Sequence, residues 1–300
     1  MKIVVSGSTG LIGRAIVADL SSQGHDVIPL VRSGDSPTGK QVRWDPDGGM
    51  INRDGLKGID AVVHLAGENI ASGRWTTSKK ARIRDSRIIG TRLLSEALAR
   101  LKPPPAVLLS ASACGFYGDR GDDEVDENDG PGNGFLADLC REWEAATKPA
   151  TEAGIRVVHL RFGVILSADG GALAKMLPSF RFGLGGRLGS GRQYMSWISL
   201  EDIVAAIYHC LNTGSLRGAV NLVSPNAVTN REFTQALGKV LCRPTMMTVP
   251  AGVLRFLFGE MAREMLLTST RVKPTRLVES GFRFRRPHLE IILRHELKRT

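Results

Sequence analysis

The 300-residue sequence has no run of about 18 apolar residues, the length a bilayer-spanning helix requires, so no membrane span is expected. The N-terminal MKIVVSGSTGLIG turns apolar after one lysine, but glycines interrupt it and no small-residue cleavage pattern follows. It reads as a first strand rather than a signal peptide. Cysteine is scarce: Cys114, Cys140, Cys210 and Cys242, separated by 26, 70 and 32 positions. No pair has metal-ligand spacing, which predicts reduced thiols in a cytoplasmic protein. The histidines His25, His64, His159, His209, His288 and His295 show no metal spacing either, so no metal site is expected. There are no internal repeats and no low-complexity tract.

Charge is lopsided. The net charge is +10, and residues 271–300 hold nine Lys or Arg against three Glu, which places +6 of it in the last thirty positions. The basic residues alternate with apolar ones and no nucleic-acid fold signature accompanies them. They read as a solvated face, without a nucleic-acid partner.

What is present is a strand–helix alternation. KIVVS reads as a strand, GSTGLIG as a glycine turn, and RAIVADLSSQG as a helix closed by Gly24. DVIPLVR, QVRWD, IDAVVHLAG, AVLLSAS and VVHLRFGVIL follow as strands. Pro29 in the second requires an edge or a bulge. Thr77 to Leu101 and FLADLCREWEAATKPA read as helices, and residues 119–134 as an acidic, Gly-rich loop. This alternation predicts an α/β fold, a Rossmann-like doubly wound parallel sheet with a smaller, mostly helical C-terminal lobe. The expected division is 1–167 for the nucleotide domain, with 196–225 returning to it, and 168–300 for the lobe. Within the lobe, TNREFTQALGKVL and VPAGVLRFLFGEMAREMLL read as helices, and 244–300 as a helical extension.

Gly7, Gly10 and Gly13 stand between the first strand and the first helix as G-x-x-G-x-x-G. Glycines there permit a tight turn, close approach of backbone to a pyrophosphate, and close packing of helix on strand. The helix N-terminus then offers its free N–H groups to phosphate. Thr9, Leu11 and Ile12 complete this turn. The second strand ends at Val31-Arg32. An NAD-selective fold usually places an acidic residue there for the ribose 2′-hydroxyl, whereas Arg suits a 2′-phosphate, so NADP(H) is the expected cofactor.

With GxxGxxG, VVHLAG, SASACGFYG, LRFGVIL and WISLEDIVAAI in order, the chain resembles the extended short-chain dehydrogenase/reductase superfamily. HLAGENI, RWTTSKK, GLGGRLGSGRQYMSWISLED and GEMAREMLLTSTRVKPTRLVESGFRF narrow the resemblance to an atypical, NAD(P)-dependent epimerase/dehydratase-like subgroup with a small C-terminal domain. The resemblance implies an oxidoreductase or epimerase. It also implies further cofactor contacts: Asp45 with the adenine amino group, Leu65, Ala66 and Gly67 beneath the adenosine and pyrophosphate, and Gly163 and Val164 beside the nicotinamide. Arg87 either reaches a phosphate or ribose or is one solvated helix arginine among many. Ser110 caps its strand end at the cofactor.

The superfamily's Tyr-x-x-x-Lys pair is missing. In FLADLCREWE the two positions fall on Leu136 and Cys140, or on Phe135 and Leu139 after a shift of one. Three residues are candidates in its place: Ser112 as a substrate or nicotinamide contact, Tyr117 as a replacement acid, and Glu68 as a carboxyl whose pKa desolvation raises. Lys79 and Arg161 are further candidates for proton transfer. The loop around Arg187, Arg192 and Gln193 closes over an anionic substrate or grips a partner, or else is a flexible surface loop. The expectation is an NADP(H)-dependent oxidoreductase or epimerase of atypical mechanism acting on a small molecule, monomeric or homodimeric. The alternative is a catalytically silent NADP(H) sensor or scaffold.

Overall fold

In the computed structural model, which describes residues 1–32 and 40–298, KIVVS forms the central strand β1 (Lys2–Ser6). Ile3 and Val5 join the apolar cluster on one sheet face and Val4 the cluster on the other, all of them fully buried. A strand apolar on both sides fits only the middle of a sheet covered on both faces. The other strands are β2 (Asp26–Arg32), β3 (Val42–Asp45), β4 (Met50–Ile51), β5 (Ala61–His64), β6 (Val107–Ala113), β7 (Arg156–Phe162) and β8 (Gly218–Leu222). Their order in the sheet is β8-β7-β6-β5-β1-β2-β3-β4. Every pair is parallel except β3–β4. Strand order reverses at β1, which lies between β2 and β5. In sheets of this kind the ligand crevice opens at that reversal, beyond the C-terminal strand ends.

Pro29 is accommodated by position. It lies opposite Val5 of β1, while pairing with β3 begins only at Leu30. The missing N–H therefore breaks no ladder on the outer side.

Helices α1 (Leu11–Ser22), α2 (Thr77–Ala99), α3 (Phe135–Ala145), α4 (Lys148–Glu152), α5 (Gly171–Arg181), α6 (Leu200–Asn212), α7 (Asn230–Leu241), α8 (Ala251–Phe258), α9 (Thr275–Glu279) and α10 (Leu289–Glu296) follow in chain order. Ile16 and Leu20 of α1 and Ile203 and Ile207 of α6 cover one sheet face. Leu94 and Leu98 of α2 and Ala150 of α4 cover the other. Around Trp197, residues of α5, α7 and α10 build a separate core, including Leu177, Phe233, Leu237 and Ile292. Several helices start on the hydroxyl their sequence supplies. Thr76 accepts from Lys79 N, Ser199 from Asp202 N, and Thr229 forms a capping box with Glu232.

Three elements differ from the sequence expectation, each at a backbone special. FLADLCREWEAATKPA divides into α3 and α4, because Pro149 lacks the N–H that a continuous helix would use. VVHLRFGVIL breaks at Gly163, where a Cβ would lie 2.7 Å from the Ser196 carbonyl oxygen. Val164–Ser167 leaves the sheet there and pairs with Trp197–Ser199. VPAGVLRFLFGEMAREMLL stops after Phe258 at Gly259 (φ +60°) and resumes as a π-helical turn, Ala262–Leu266. The hairpin strand β4, and the parallel pairing of Gly186–Leu188 with Met247–Val249, have no counterpart in the sequence reading.

The last segment does not stay in the small core. Arg271–Val272 pairs with Glu124–Val125, and Leu277, Phe282 and Phe284 pack on the sheet face that α6 covers. No helix among the described residues is long and apolar enough to cross a membrane.

Candidate functional site

The C-terminal ends of β1, β2, β3 and β5 bring together most of the residues singled out for the nucleotide. Gly7 has φ +65°, and a Cβ on it would lie 2.9 Å from the Leu65 carbonyl group. A Cβ on Gly13 would lie 2.0 Å from the Gly7 oxygen. The turn thus closes only with glycine at both positions, for the conformational and steric reasons glycine uniquely meets. Gly10 is the N-cap of α1 and carries no capping side chain, and the first turn holds no acidic residue. The N-terminal N–H groups and positive dipole end of α1 remain available to an anion. Thr9, Leu11 and Ile12 lie in this turn, Val31 is half-buried, and Arg32 is exposed at the end of β2. Asp45 ends β3, but one of its oxygens accepts from Gly48 N at 3.1 Å and shapes the turn that follows.

The facing wall is the turn Leu65–Gly67, held by one hydroxyl. Ser6 Oγ accepts from Leu65 N (3.0 Å) and Ala66 N (3.2 Å), so its own hydrogen is left for His64 Nδ1 at 2.7 Å. That assigns the His64 proton to Nε2, which donates to Thr91 Oγ1 at 2.9 Å. Trp143 Nε1 donates to the same Thr91 oxygen. One chain of hydrogen bonds therefore runs from β1 through β5 and α2 to α3. Burial pushes the His64 pKa down from 6.5 to about 4, which keeps the ring neutral and this chain in one direction.

Under α3, the expected catalytic groups prove to be structural. None of the three tyrosines is followed four residues later by lysine. Leu139 and Cys140 are buried, Leu136 lies against Gly115, and Phe135 stacks edge-on with Trp75. In place of a reactive pair there is a buried ion pair. Arg161 donates from Nε and Nη2 to the two oxygens of Glu144, at 2.8 and 2.9 Å. Its guanidinium lies 3.5 Å from the Phe116 ring centre. Burial pushes the Glu144 carboxyl up, and the Arg161 guanidinium more than reverses this, leaving it below the ordinary carboxylate range.

Two expectations meet internal partners in this layer. Ser112 is buried and donates its hydrogen to Glu144 at 2.7 Å, so it presents no free proton to a substrate. Tyr117 is fully buried, donates to Asn221 Oδ1 at 2.8 Å and accepts from Arg161 Nη1, and burial raises its pKa. It cannot serve as a replacement acid. Ser110 is 1% exposed, and its hydroxyl has no hydrogen-bond partner among the described residues. Cys114 and Cys140 are buried thiols, the latter pushed up to about 12 by burial, and neither is a nucleophile. Glu144, Asn221 and Trp143 had no assigned role in the sequence reading. The one available signal was Arg161, a lone cation inside the apolar strand VVHLRFGVIL, which must find a buried partner.

At the crevice mouth, Glu68 forms an ion pair with Lys79 at 2.6 Å, and Lys79 also donates to Ser72. Lys79 lowers the Glu68 pKa, which overturns the expectation of a raised one: Glu68 is an ionised carboxylate, not a proton store. Arg87 lies against Gly67, where a Cβ would be 3.2 Å from the guanidinium carbon. Gly163 and Val164 sit at the strand break, with Val164 N donating to Ser196 O. The Arg187–Gln193 loop is tied to its surroundings by hydrogen bonds. Gln193 donates to the Leu188 and Leu266 carbonyls, and Asn230 accepts from Leu188 N. No cluster of three metal-binding side chains occurs among the described residues.

Residues 3–222 match the NAD dependent epimerase/dehydratase family, and residues 249–296 match a domain of unknown function, DUF1731. The chain is 48% identical over 282 residues to an epimerase family protein of Mycobacterium bovis, covering 94% of this chain and 93% of that protein. It is similar to the crystal structure of human epimerase family protein SDR39U1 with NADPH, at a TM-score of 0.90, 32% identity and full coverage of both chains. A nucleoside-diphosphate sugar epimerase from Corynebacterium glutamicum superposes at a TM-score of 0.82 and 36% identity, over 99% of this chain and 58% of that one.

Two outcomes follow from the buried layer. Arg161→Met leaves Glu144 without its partner and should cost about 3–5 kcal/mol in urea unfolding, and Glu144→Ala a similar amount. The double variant should cost clearly less than the two together. Because folded His64 binds its proton only near pH 4, the unfolded chain takes up that proton first. Its share of stability is complete above pH 6.5 and is lost as pH falls from 6.5 to 4. The decline should reach about 1.4 kcal/mol per pH unit. His64→Gln should flatten that part of the stability–pH curve.

Proposed function

The chain belongs to the NAD dependent epimerase/dehydratase family, and from this we propose that it is an NADP(H)-dependent oxidoreductase or epimerase of atypical mechanism acting on a small molecule. The observation that carries the reading is the α1 N-terminus. It is uncapped by any side chain and approached by backbone that tolerates no Cβ at Gly7 or Gly13, with Arg32 at the end of the neighbouring strand. The same cofactor is named in the structure of the human relative.

In this reading Gly7 to Gly13 hold the diphosphate, Val31 and Arg32 the ribose 2′-phosphate, Asp45 the adenine, and Leu65 to Gly67 the floor beneath the dinucleotide. Gly163 and Val164 border the nicotinamide. Residues 1–167 and 196–225 form the nucleotide half, and the remainder of 168–300 closes the substrate side. The nicotinamide supplies hydride chemistry when bound. The protein's share is orientation, water exclusion and charge. Ionised Glu68 accepts a hydrogen bond from a substrate hydroxyl, and Lys79 holds the carboxylate in its charged form. The setting is cytoplasmic, where all four free thiols stay reduced.

One observation favours a second reading, a catalytically silent NADP(H) sensor: the hydroxyls of Ser112 and Tyr117 are committed to internal partners. Fluorescence titration with NADPH and NADH tests the common premise. Wild type should bind NADPH more tightly, and Arg32→Ala should remove the preference at a cost of roughly 10- to 100-fold for NADPH alone. Hydrogen exchange at C4 of the bound nicotinamide, in the presence of carbonyl compounds, marks an enzyme. Stoichiometric binding without exchange marks a sensor.

A further inference from the structure

Two segments of the small lobe turn large apolar side chains to solvent and carry charge of one sign only. Residues 171–192 hold four Lys or Arg and residues 233–259 hold three, and neither stretch contains an Asp or Glu. The three most exposed large apolar side chains among the described residues lie in these stretches: Met246 (93%), Phe182 (81%) and Phe256 (79%). Leu184, Met247 and Leu257 are half exposed or more. Of the eight residues of α8, only Leu254 is buried. A helix that turns one leucine inward and leaves Phe256 and Leu257 in water has an apolar face that its own domain does not cover.

The two segments are neighbours in space. Gly186–Leu188 pairs in parallel with Met247–Val249. Arg243 Nε donates to the Arg181 carbonyl and Arg187 Nε to Thr248 Oγ1, each at 2.9 Å. A Cβ on Gly183 would touch the Pro244 ring. The loop that bears Phe182 and Leu184 therefore runs beside the one that bears Met246 and Met247, and α8 starts directly after it. Both halves are also joined to residues 71–74, through Lys175 Nζ on the Ala71 carbonyl (2.8 Å) and Arg74 Nη2 on the Phe256 carbonyl (3.0 Å).

The charges in this surface are largely left to solvent. Lys239 pairs with Glu290 of α10, whereas Arg181, Arg192, Arg243 and Arg255 are exposed and belong to no ion pair among the described residues. Exposed phenylalanine and methionine interleaved with arginine fit a surface whose anionic headgroups lie directly over an apolar layer. A second copy of the chain fits poorly, because an isologous contact would set the same basic segments against each other.

We propose that this face of the lobe docks on an anionic lipid bilayer. Phe182, Met246 and Phe256 enter the boundary between headgroups and acyl chains, and Arg181, Arg243 and Arg255 meet the lipid phosphates. The contact is peripheral and reversible, since no helix among the described residues is long and apolar enough to cross a membrane. Its electrostatic part weakens as salt rises. The proposal is independent of the cofactor reading.

The test is co-sedimentation of the full chain with vesicles of phosphatidylcholine alone and of phosphatidylcholine with phosphatidylserine. Wild type should bind the anionic vesicles about tenfold or more tightly than the neutral ones. The triple variant Phe182→Ser, Met246→Ser, Phe256→Ser should weaken that binding by roughly 10- to 100-fold, and Arg181→Gln with Arg255→Gln by roughly tenfold. Arg53→Gln with Arg100→Gln removes the same charge from the turn after β4 and the C-terminal end of α2, and should stay within about threefold of wild type. Phe182→Asp and Phe256→Asp, made singly, should each weaken binding as well, and they carry the test if the triple variant melts early. Wild type that does not prefer anionic vesicles overturns the proposal. So does a folded apolar variant that binds like wild type, or an equal loss in the Arg53 and Arg100 variant, either of which would mark a diffuse field of the whole charge. A wild-type dimer in sedimentation velocity that the serine variant turns into a monomer would give this face to a second copy instead.

Discussion

The bidentate contact between Arg161 and Glu144 is the interaction on which the arrangement of this protein turns. It joins β7, next to the edge of the sheet, to α3, the helix that lines the crevice, and draws in Ser112 from β6 and Tyr117 from the turn after it. Tyr117 extends the contact to Asn221 of β8, whose backbone N–H reaches Glu127 and whose side chain reaches the Lys273 carbonyl. A buried pair of this kind is costly to form and more costly to break on one side only. That asymmetry fixes the position of α3 against β6, β7 and β8, and with it one wall of the crevice.

The same network limits the chemistry. Hydroxyls that sequence comparison would offer to a substrate have already been used to satisfy Glu144, Arg161 and Asn221. At the mouth of the crevice Glu68 is ionised beside Lys79, and the Arg87 guanidinium lies against Gly67. The site is therefore rich in fixed positive charge and poor in groups that release a proton near neutral pH. Its strength lies in holding an anionic dinucleotide and orienting what binds next to it.

Much of the fold was legible because its signals are local. Ile3, Val4 and Val5 announce a strand buried on both faces, and Thr76, Ser199 and Thr229 stand where helices begin. Gly7, Gly10 and Gly13 are separated by the interval that a strand–turn–helix requires. The misreadings came from residues whose effect depends on a distant neighbour. Gly163 looks like any strand glycine until Ser196 lies against it. Glu68 looks like a desolvated carboxyl until Lys79, eleven residues on, reaches back to it.

By itself the sequence determined the parallel sheet, the glycine turn and the exposed Arg32, since these depend on spacing, backbone freedom and the alternation of apolar residues. It also determined what α3 lacks, because neither Leu136 nor Cys140 can supply the phenol or the ammonium of the missing pair in any conformation. Only the tertiary structure decided which polar residues are reactive and which are mortar. The state of a carboxyl, a hydroxyl or a guanidinium is set by the charges and donors within a few ångströms, and those partners come from strands and helices far apart in the chain. Ser112 and Tyr117 were given inward partners by that packing.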